Sequence, residues 1–297
     1  MDRFLSVLLI SVLAAGSLCA QEEPDTLTAA DGWRTSVITS LAGSQAAYSN
    51  WQEGGVDALA FTAALAGQFE RVTGDFKQVH DLNLEYGQLR QDTLGFRKAS
   101  DLIRYAFALQ YRATGVFQPT FSLEARSQFA PGYDYDPMPE EYPTLMVVPG
   151  EELRVSQFAA PAYLKQVAGV TYDPDSWFTV RLGVGAKETI VSVEELRPLY
   201  GNDSDQAVRT EAGLDFGVEA QREVVENVTW QSRLGLFQAV GQLGDAAPDT
   251  IWENNVIMKV NDILNVNLAF VTLFDNDVSE DLQFKELLSV GFSFTVL

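Results

Sequence analysis

The C-terminal segment of this chain alternates strictly between bulky apolar residues and small or polar ones. Leu288, Val290, Phe292, Phe294 and Val296 are apolar, and the residues between them are serine, glycine, serine and threonine. Because successive side chains of a β-strand point to opposite faces, this segment has one apolar face and one thin polar face. A terminal strand of this type is typical of a membrane-spanning β-barrel, whose outer face meets lipid. We therefore expect an all-β barrel that this strand closes.

The same alternation recurs along the chain. It predicts an antiparallel, up-and-down barrel of about 12 strands, an even number like that of single-chain bacterial barrels. No segment after the N-terminal region has the roughly 20 consecutive apolar residues that a spanning helix needs. The predicted strands lie near residues 34–43, 57–70, 75–88, 98–112, 118–129, 160–172, 176–187, 208–221, 227–238, 251–260, 264–274 and 284–296.

The connections between these strands alternate in length. Short turns, most of them marked by Gly, Asp, Asn or Pro, are predicted at one end of the barrel and longer loops at the other. Outer-membrane barrels have short periplasmic turns and long extracellular loops, which predicts an integral outer-membrane protein with both termini in the periplasm. The short turns are 72–74, 113–116, 173–175, 223–225 and 261–263, and the loops are 44–56, 89–97, 130–159, 188–207, 239–250 and 275–283.

The N-terminal region has the pattern of a secretory signal peptide. A short apolar run follows Asp2 and Arg3, and small residues precede Gln21. We expect cleavage after residue 20, a periplasmic tail at 21–32 and the barrel at 33–297. Cys19 is the only cysteine, so the mature chain would have no thiol for a disulfide or a metal site.

The charge of the chain limits its partners. The formal net charge of −21 argues against binding to nucleic acid and against simple adsorption to anionic lipid. We expect contact with outer-membrane lipid and lipopolysaccharide, and recognition of the C-terminal strand by the barrel-assembly machinery. No pattern indicates a cofactor.

Several motifs resemble those of an uncharacterised domain-of-unknown-function family of Gram-negative outer-membrane β-barrels. Together with the order of the strands, the resemblance extends over essentially the whole mature chain. It implies an outer-membrane location and brings no established activity. The motifs are Ser49-Asn50-Trp51-x-x-Gly54-Gly55, Gln128-Phe129-Ala130-Pro131-Gly132-Tyr133, Ser156-Gln157-Phe158-x-Ala160-Pro161-Ala162-Tyr163 and Phe284-Lys285-Glu286.

His80 is the only histidine and therefore the main candidate for catalysis. Membrane hydrolases of this architecture would pair a histidine with a serine or a carboxylate. His80 alternates in step with Leu82 and Leu84, so its ring points to the same face as theirs, the lipid face. It also lies near a short turn, where a ring with a polar tip suits the headgroup region of the membrane. We therefore expect that the protein is not an enzyme.

Charged residues of both signs share the parity of the barrel lumen, and the two signs nearly cancel. They favour either a mildly polar passage or a set of paired charges that brace a narrow barrel, since buried charges need partners. From the predicted turn at 223–225 we expect Arg233 to lie opposite Asp215. The main candidates are Arg104, Arg126, Arg181, Asp215, Glu219, Arg233, Glu253 and Lys259, and parity also turns Glu70, Glu85, Glu124, Glu211, Arg112 and Lys187 inward.

Two functions remain open from the sequence. The first is a porin-like passage for small solutes, which is favoured by the small inward residues on several strands. The second is a non-conducting barrel whose extracellular loops act in envelope integrity, in adhesion or as part of a complex. The acidic loops do not have the spacing of a defined calcium site. Whether the loop at 130–159 folds in and blocks the lumen decides between the two.

Overall fold

The computed structural model describes residues 32–47, 56–91, 94–174 and 177–296. It is a closed antiparallel barrel of 12 strands, in which each strand pairs with its neighbour along the chain and the last strand closes on the first. The predicted fold class is therefore confirmed. The strands are β1 (Trp33–Ala46), β2 (Ala58–Thr73), β3 (Phe76–Gln91), β4 (Arg97–Tyr111), β5 (Phe117–Ser127), β8 (Ala162–Tyr172), β9 (Phe178–Ile190), β10 (Val208–Val225), β11 (Val228–Ala239), β12 (Asp249–Lys259), β13 (Leu264–Asp275) and β14 (Ser279–Thr295), with the short strands β6 (Gly132–Asp134) and β7 (Leu153–Ser156) between β5 and β8.

The outside of the barrel is apolar and the inside is polar, as the alternation predicts. On β14, Leu288, Phe292 and Phe294 are exposed on the outer face. Leu41 of β1 pairs with Phe292, so the odd residues of β1 also point outward. Closure of the sheet pairs the edge strands β1 and β14, in register from Ile38–Thr295 to Ala42–Gly291, which satisfies backbone groups that an open edge would leave unpaired. In the part of the chain that the structure describes, no helix is long and apolar enough to cross a bilayer.

The two ends of the barrel differ. The hairpin end, which contains the first residues of β1 and the last of β14, has the short turns after β2, β4, β8, β10 and β12. Here the guanidinium groups of Arg71 and Arg222 lie over the rings of Trp33 and Trp177, at 5.5 and 5.7 Å from the ring centroids. Tryptophan and arginine together are typical of the headgroup region of a membrane.

The loop end has the longer connections, and two of them pack together into a cap. Ala160 from the loop between β5 and β8 is buried with Val191 and Leu196 from the loop between β9 and β10. Tyr200 closes this small core, and its hydroxyl donates a hydrogen bond of 2.8 Å to the carbonyl of Val155. The cap thus has an apolar core of its own.

The turn between β10 and β11 was predicted wrongly, and so was the pairing of Arg233 with Asp215. β10 continues to Val225, and the chain reverses at Glu226 and Asn227, where Asn227 has a φ of +65°. Asparagine tolerates this left-handed conformation, which permits a tighter turn than the predicted one. The register consequently places Glu219 opposite Arg233 and Phe237 opposite Asp215.

Some other predictions need correction or lie outside the described residues. Arg112 is not a lumen residue, because it begins an exposed 3-10 turn at the hairpin end. The barrel strands generally extend further than predicted, and β14 begins at Ser279. The predicted signal peptide and most of the predicted tail at 21–32 lie outside the described residues, as does the whole first motif at 49–55.

Candidate functional site in the lumen and its mouth

One wall of the lumen has a network of ion pairs around Arg233. This guanidinium donates hydrogen bonds to the carboxylate of Glu253, at 2.6 Å, and to Glu124, at 3.0 Å. Arg104 lies 3.3 Å from Glu124, and Arg126 lies 3.9 Å from Glu253. Three strands of the barrel separate Arg233 on β11 from Glu124 on β5. The network therefore spans a part of the lumen and links strands that share no backbone hydrogen bonds.

A second group of charges surrounds Asp215, whose side chain is fully buried. Lys165 donates to one carboxylate oxygen at 2.6 Å, and Arg181 donates to the other at 3.3 Å. Two cations on one carboxylate compensate the desolvation that a buried charge would otherwise suffer. The partners of Asp215 lie on β8 and β9, and the predicted partner, Arg233, is not among them.

A third group lies at the loop end of the same wall. Lys187 donates a hydrogen bond to Asp249 and another, of 3.2 Å, to Asp275. Arg209 forms an ion pair of 2.5 Å with Asp277, in the connection between β13 and β14. These ion pairs connect β9 and β10 to the ends of β12 and β13 and so stabilise the charged side of the mouth.

The opposite wall is built from small residues. Ile38, which points inward between these residues, is 41% exposed, and Ala66 and Gln68 are also exposed. Since these residues face the lumen, their exposure means that open space runs along this wall. The strip of small residues consists of Ser36, Ser40, Ala42 and Ser44 on β1, Ala60, Thr62, Ala64 and Ala66 on β2, and Ser289, Gly291 and Ser293 on β14.

The structure brings most of the sequence-predicted lumen residues into these groups. Arg104, Arg126, Arg233 and Glu253 belong to the first, and Arg181 and Asp215 belong to the second. The remaining two candidates lie apart. Glu219 is exposed on the lumen face opposite Arg233, and Lys259 is exposed at the hairpin end of β12.

Several charged residues of the lumen were missed by the sequence analysis. Lys165 and Asp81 have inward parity on β8 and β3, so the alternation alone would have identified them. Asp249 and Asp275 were assigned to loops, because the predicted strands began too late or ended too early. Their proximity to Lys187 depends on the stagger of the closed barrel, which the sequence does not reveal.

The loop-end mouth contains a cavity of about 330 Å³ under the β6–β7 hairpin. Ser100 of β4 and Lys285 of β14 both line it, although three strands separate β4 from β14 in the barrel. A cavity that both residues reach must lie within the bore. The loop at 130–159 therefore folds over the mouth, with Tyr133 and Ser156 of its hairpin against the cavity.

Hydrogen bonds to β4 hold the base of this hairpin. The carboxylate of Asp101 accepts hydrogen bonds from the backbone amides of Phe129 and Ala130, at 2.7 and 2.8 Å. The ammonium group of Lys98 donates to Asp101, to the side chain of Gln128 and to the carbonyl of Ala130. All three donors of Lys98 are thus engaged, and the residue braces the hairpin.

The tip of the covering loop has its own internal contact. The hydroxyl of Tyr142 donates a hydrogen bond of 2.7 Å to Asp134. Burial raises the pKa of the Tyr142 phenol, and the hydrogen bond to the charged Asp134 raises the pKa further. The phenol consequently stays protonated and remains a donor. Among the described residues, no group of three or more His, Cys, Asp or Glu side chains is arranged to hold a metal ion.

His80 lies on the outer face near the hairpin end. Its Nδ1 is 2.8 Å from the hydroxyl of Tyr105, and its ring packs near Phe107 and Trp33, at centroid distances of 4.9 and 6.0 Å. A shallow apolar depression surrounds it, lined by Trp33, Phe69 and Leu82 among others. The neighbours of His80 are aromatic and aliphatic side chains of the outer face, which is the environment of a ring with a structural role.

Comparisons with known proteins match a part of the chain to one family. Residues 44–133 match the model of a family described as a protein of unknown function (DUF3078), and this range contains the first two of the four motifs. No curated protein matches the chain at a significant level of similarity.

Solved structures with a similar fold are outer-membrane barrels. The translocator domain of the autotransporter NalP from Neisseria meningitidis is 10% identical, with 89% of this chain and 88% of that chain covered and a TM-score of 0.38. The COG4313 outer membrane channel from Pseudomonas putida F1 is 12% identical, with 93% and 99% covered and a TM-score of 0.38. The toluene transporter TodX from Pseudomonas putida is 10% identical, with 89% of each chain covered and a TM-score of 0.32. Similarity at this level concerns the barrel architecture alone.

Proposed function

We propose that this protein is an integral outer-membrane barrel that provides a narrow passage for small polar solutes. Its long loops would be extracellular, and its termini would lie in the periplasm after removal of residues 1–20. The observation that carries the proposal is the strip of small residues on β14, β1 and β2. Inward residues there, such as Ile38 and Ala66, remain exposed, and the ion-pair networks of Arg233, Asp215 and Lys187 lie away from this strip.

The chemistry of the two walls favours polar solutes. Serine and threonine hydroxyls on the small-residue wall exchange hydrogen bonds with water or with a hydroxylated solute. The charged wall contains both acidic and basic side chains. Within an ion pair such as those of Asp215, the opposite charges largely cancel at a distance, so a passing solute meets little net charge. A passage of this kind discriminates by size more than by the sign of charge.

Support also exists for the second function, a non-conducting barrel that acts through its loops. Ion pairs such as Arg126–Glu253 reach across four intervening strands, and the β6–β7 hairpin covers the mouth. Both features narrow the bore. In that case the cap, with the exposed side chains of Met146 and Phe158, would be the working surface.

The barrel-assembly machinery and lipopolysaccharide remain proposed partners. The outer face of β14 presents Phe292 and Phe294 at the end of the strand, which suits recognition of the last strand during insertion. The same apolar face would lie against lipid once the barrel is closed.

Solute uptake by proteoliposomes separates the two functions. We expect liposomes that contain the wild-type protein to swell in arabinose or glucose and not in a trisaccharide. Ala66→Trp, which adds a large ring to the open strip, should slow swelling at least fivefold. Ala63→Trp makes the same change on the lipid face of the same strand and should leave the rate unaltered. Swelling no faster than in protein-free liposomes would favour the non-conducting barrel.

A further inference from the structure

The cavity under the β6–β7 hairpin brings together residues from three of the four motifs that the sequence analysis singled out. Gln128, Gly132 and Tyr133 come from the second motif, Ser156 from the third and Lys285 from the fourth. These residues are distant along the chain and come from different strands and loops. Their convergence on one open cavity at the mouth indicates a built site.

We propose that this cavity binds a small hydroxylated anion, of the class of a sugar acid or a sugar phosphate, at the entrance of the passage. The inference rests on the proposed function and deepens it, because it adds a binding site at the mouth for one class among the small polar solutes that the passage admits by size. It rests on which polar groups in the cavity are engaged and which are available.

The available cation is Lys285. Its side chain is 48% exposed, and its ammonium group lies 3.8 Å from the nearest oxygen of Glu85, beyond hydrogen-bond distance. Lys98, by contrast, already has three acceptors. A half-exposed ammonium group at the edge of a cavity gains a charge-assisted hydrogen bond when a carboxylate or phosphate arrives.

The available hydroxyl is that of Ser100. This residue is 5% exposed, and its Oγ has no hydrogen-bond partner in the described part of the chain. A buried hydroxyl without a partner costs free energy, which a ligand would recover if the Ser100 side chain rotated from Gly87 toward the cavity. Ser100 lines the cavity from β4, and the ammonium group of Lys285 reaches across the bore to Glu85 on the adjacent strand β3, so the two groups lie on the same side and could bind neighbouring groups of one solute.

The aromatic side of the cavity fits the ring of such a solute. Tyr133 and Tyr135 both line it, with their rings 6.4 Å apart. The guanidinium group of Arg97 lies 4.0 Å from the centroid of the Tyr135 ring and adds positive charge at this side. A tyrosine combines an apolar face with a polar hydroxyl, and so it can contact both the carbon skeleton and the hydroxyls of a sugar. The volume lies at the lower end of the roughly 300–1,000 Å³ of small-molecule sites, which favours one ring over a chain.

Titration calorimetry on the full barrel in detergent tests this proposal without requiring conduction. The probes are glucuronate, glucose 6-phosphate, neutral glucose and inorganic phosphate. We expect at least one of the two sugar anions to bind, and glucose and phosphate to bind at least tenfold more weakly. Preference between glucuronate and glucose 6-phosphate would identify the anionic group.

Lys285→Gln and Ser100→Ala should each weaken binding of the sugar anion, the first by about tenfold or more. Arg112→Gln removes a positive charge from the exposed turn at the far end of the barrel and should bind like wild type. Circular dichroism of each variant establishes that the barrel has folded.

Three results with the wild-type protein would overturn the inference: no binding of either sugar anion at millimolar concentration, equal binding of neutral glucose, or inorganic phosphate binding as tightly as the sugar anions. Unchanged affinity in folded Lys285→Gln would also overturn it. Binding of a sugar anion without solute uptake would support the binding site and contradict the proposed passage. Solute uptake without binding of a sugar anion would support the passage and contradict the binding site.

Discussion

At the scale of single residues, the packing of the lumen depends on buried charged side chains, some of which pair with two partners at once. Arg233 serves two carboxylates, Glu124 and Glu253, and its side chain is only 18% exposed. Removal of one member of such a network leaves the other charges without compensation in a medium of low dielectric constant. The network therefore stabilises the barrel as long as it is complete.

We predict that Arg233→Gln lowers the free energy of unfolding by about 2–3 kcal/mol, because Glu124 and Glu253 lose their shared donor. Arg34→Gln is the matched control. Arg34 is 71% exposed and lies 3.6 Å from Glu70, so its loss should change stability by less than about 0.5 kcal/mol. Urea unfolding of both variants in lipid vesicles, followed by tryptophan fluorescence, measures the difference. Equal effects would mean that the Arg233 network contributes nothing beyond a surface pair.

His80 provides a second prediction at this scale. Its ring packs against Phe107 and Tyr105 on the outer face, so we expect His80→Phe to unfold like wild type and His80→Ala to lose about 1 kcal/mol of stability. Neither variant should alter any reaction of the protein. If the purified protein cleaved a phospholipid or a peptide, and His80→Ala abolished that cleavage, the assignment of His80 as a structural ring would be wrong.

At the scale of strands, the lumen-facing glycines let large side chains lie flat across the wall. Gly213 on β10 is covered by the ring of Phe237 on β11, and a Cβ at residue 213 would lie 2.5 Å from that ring and 2.6 Å from the carbonyl oxygen of Gln238. The second contact involves backbone, which cannot move without a shift of the strand. Glycine at this position thus fixes how closely β10 and β11 approach each other.

Gly213→Ala should accordingly lower stability by about 1–3 kcal/mol, the usual effect of an overpacked interior. Gly241→Ala makes the same change in a loop, where the new Cβ would have nothing within 4 Å, and should be close to neutral. Thermal unfolding in the same detergent compares the two variants. A Gly213→Ala barrel as stable as the Gly241→Ala barrel would show that β10 and β11 adjust without cost.

The alternation of side chains predicted most of this architecture, since it fixes which face of each strand meets lipid. Leu182 and Val184, for example, are exposed on the outside as their parity requires. What alternation leaves open is the register. Asn227 permitted a tighter turn than the one predicted, and Arg233 therefore faces Glu219 instead of Asp215. The contacts across the bore depend on the stagger of the closed barrel, which no local pattern contains.

The mouth was harder to predict than the wall. The second, third and fourth motifs were identified as segments, but their convergence on one cavity depends on the β6–β7 hairpin folding back over the bore. The anchor of that hairpin is Asp101, whose partners are the backbone amides of Phe129 and Ala130. A carboxylate that binds backbone amides leaves no pairing signal in the sequence, because the partners' side chains are not involved.

At the scale of the whole molecule, the account depends on an uneven division of the lumen. Ion pairs hold one wall together and narrow the bore, and small residues leave a strip open along the other. The cap narrows the entrance further. The lumen is nevertheless not filled, because the inward side chains of Ile38 and Gln68 are exposed. A barrel of this design should conduct, but weakly.

Planar-bilayer recordings of the purified wild-type barrel test this claim most directly. We predict small conductance steps with little preference between small cations and anions at high salt, because the inward charges nearly balance. At low ionic strength the acidic loops should enrich cations at the mouth, and this preference should fade as salt screens them. A complete absence of channel events above the detergent background would contradict the account and favour a barrel that acts through its loops.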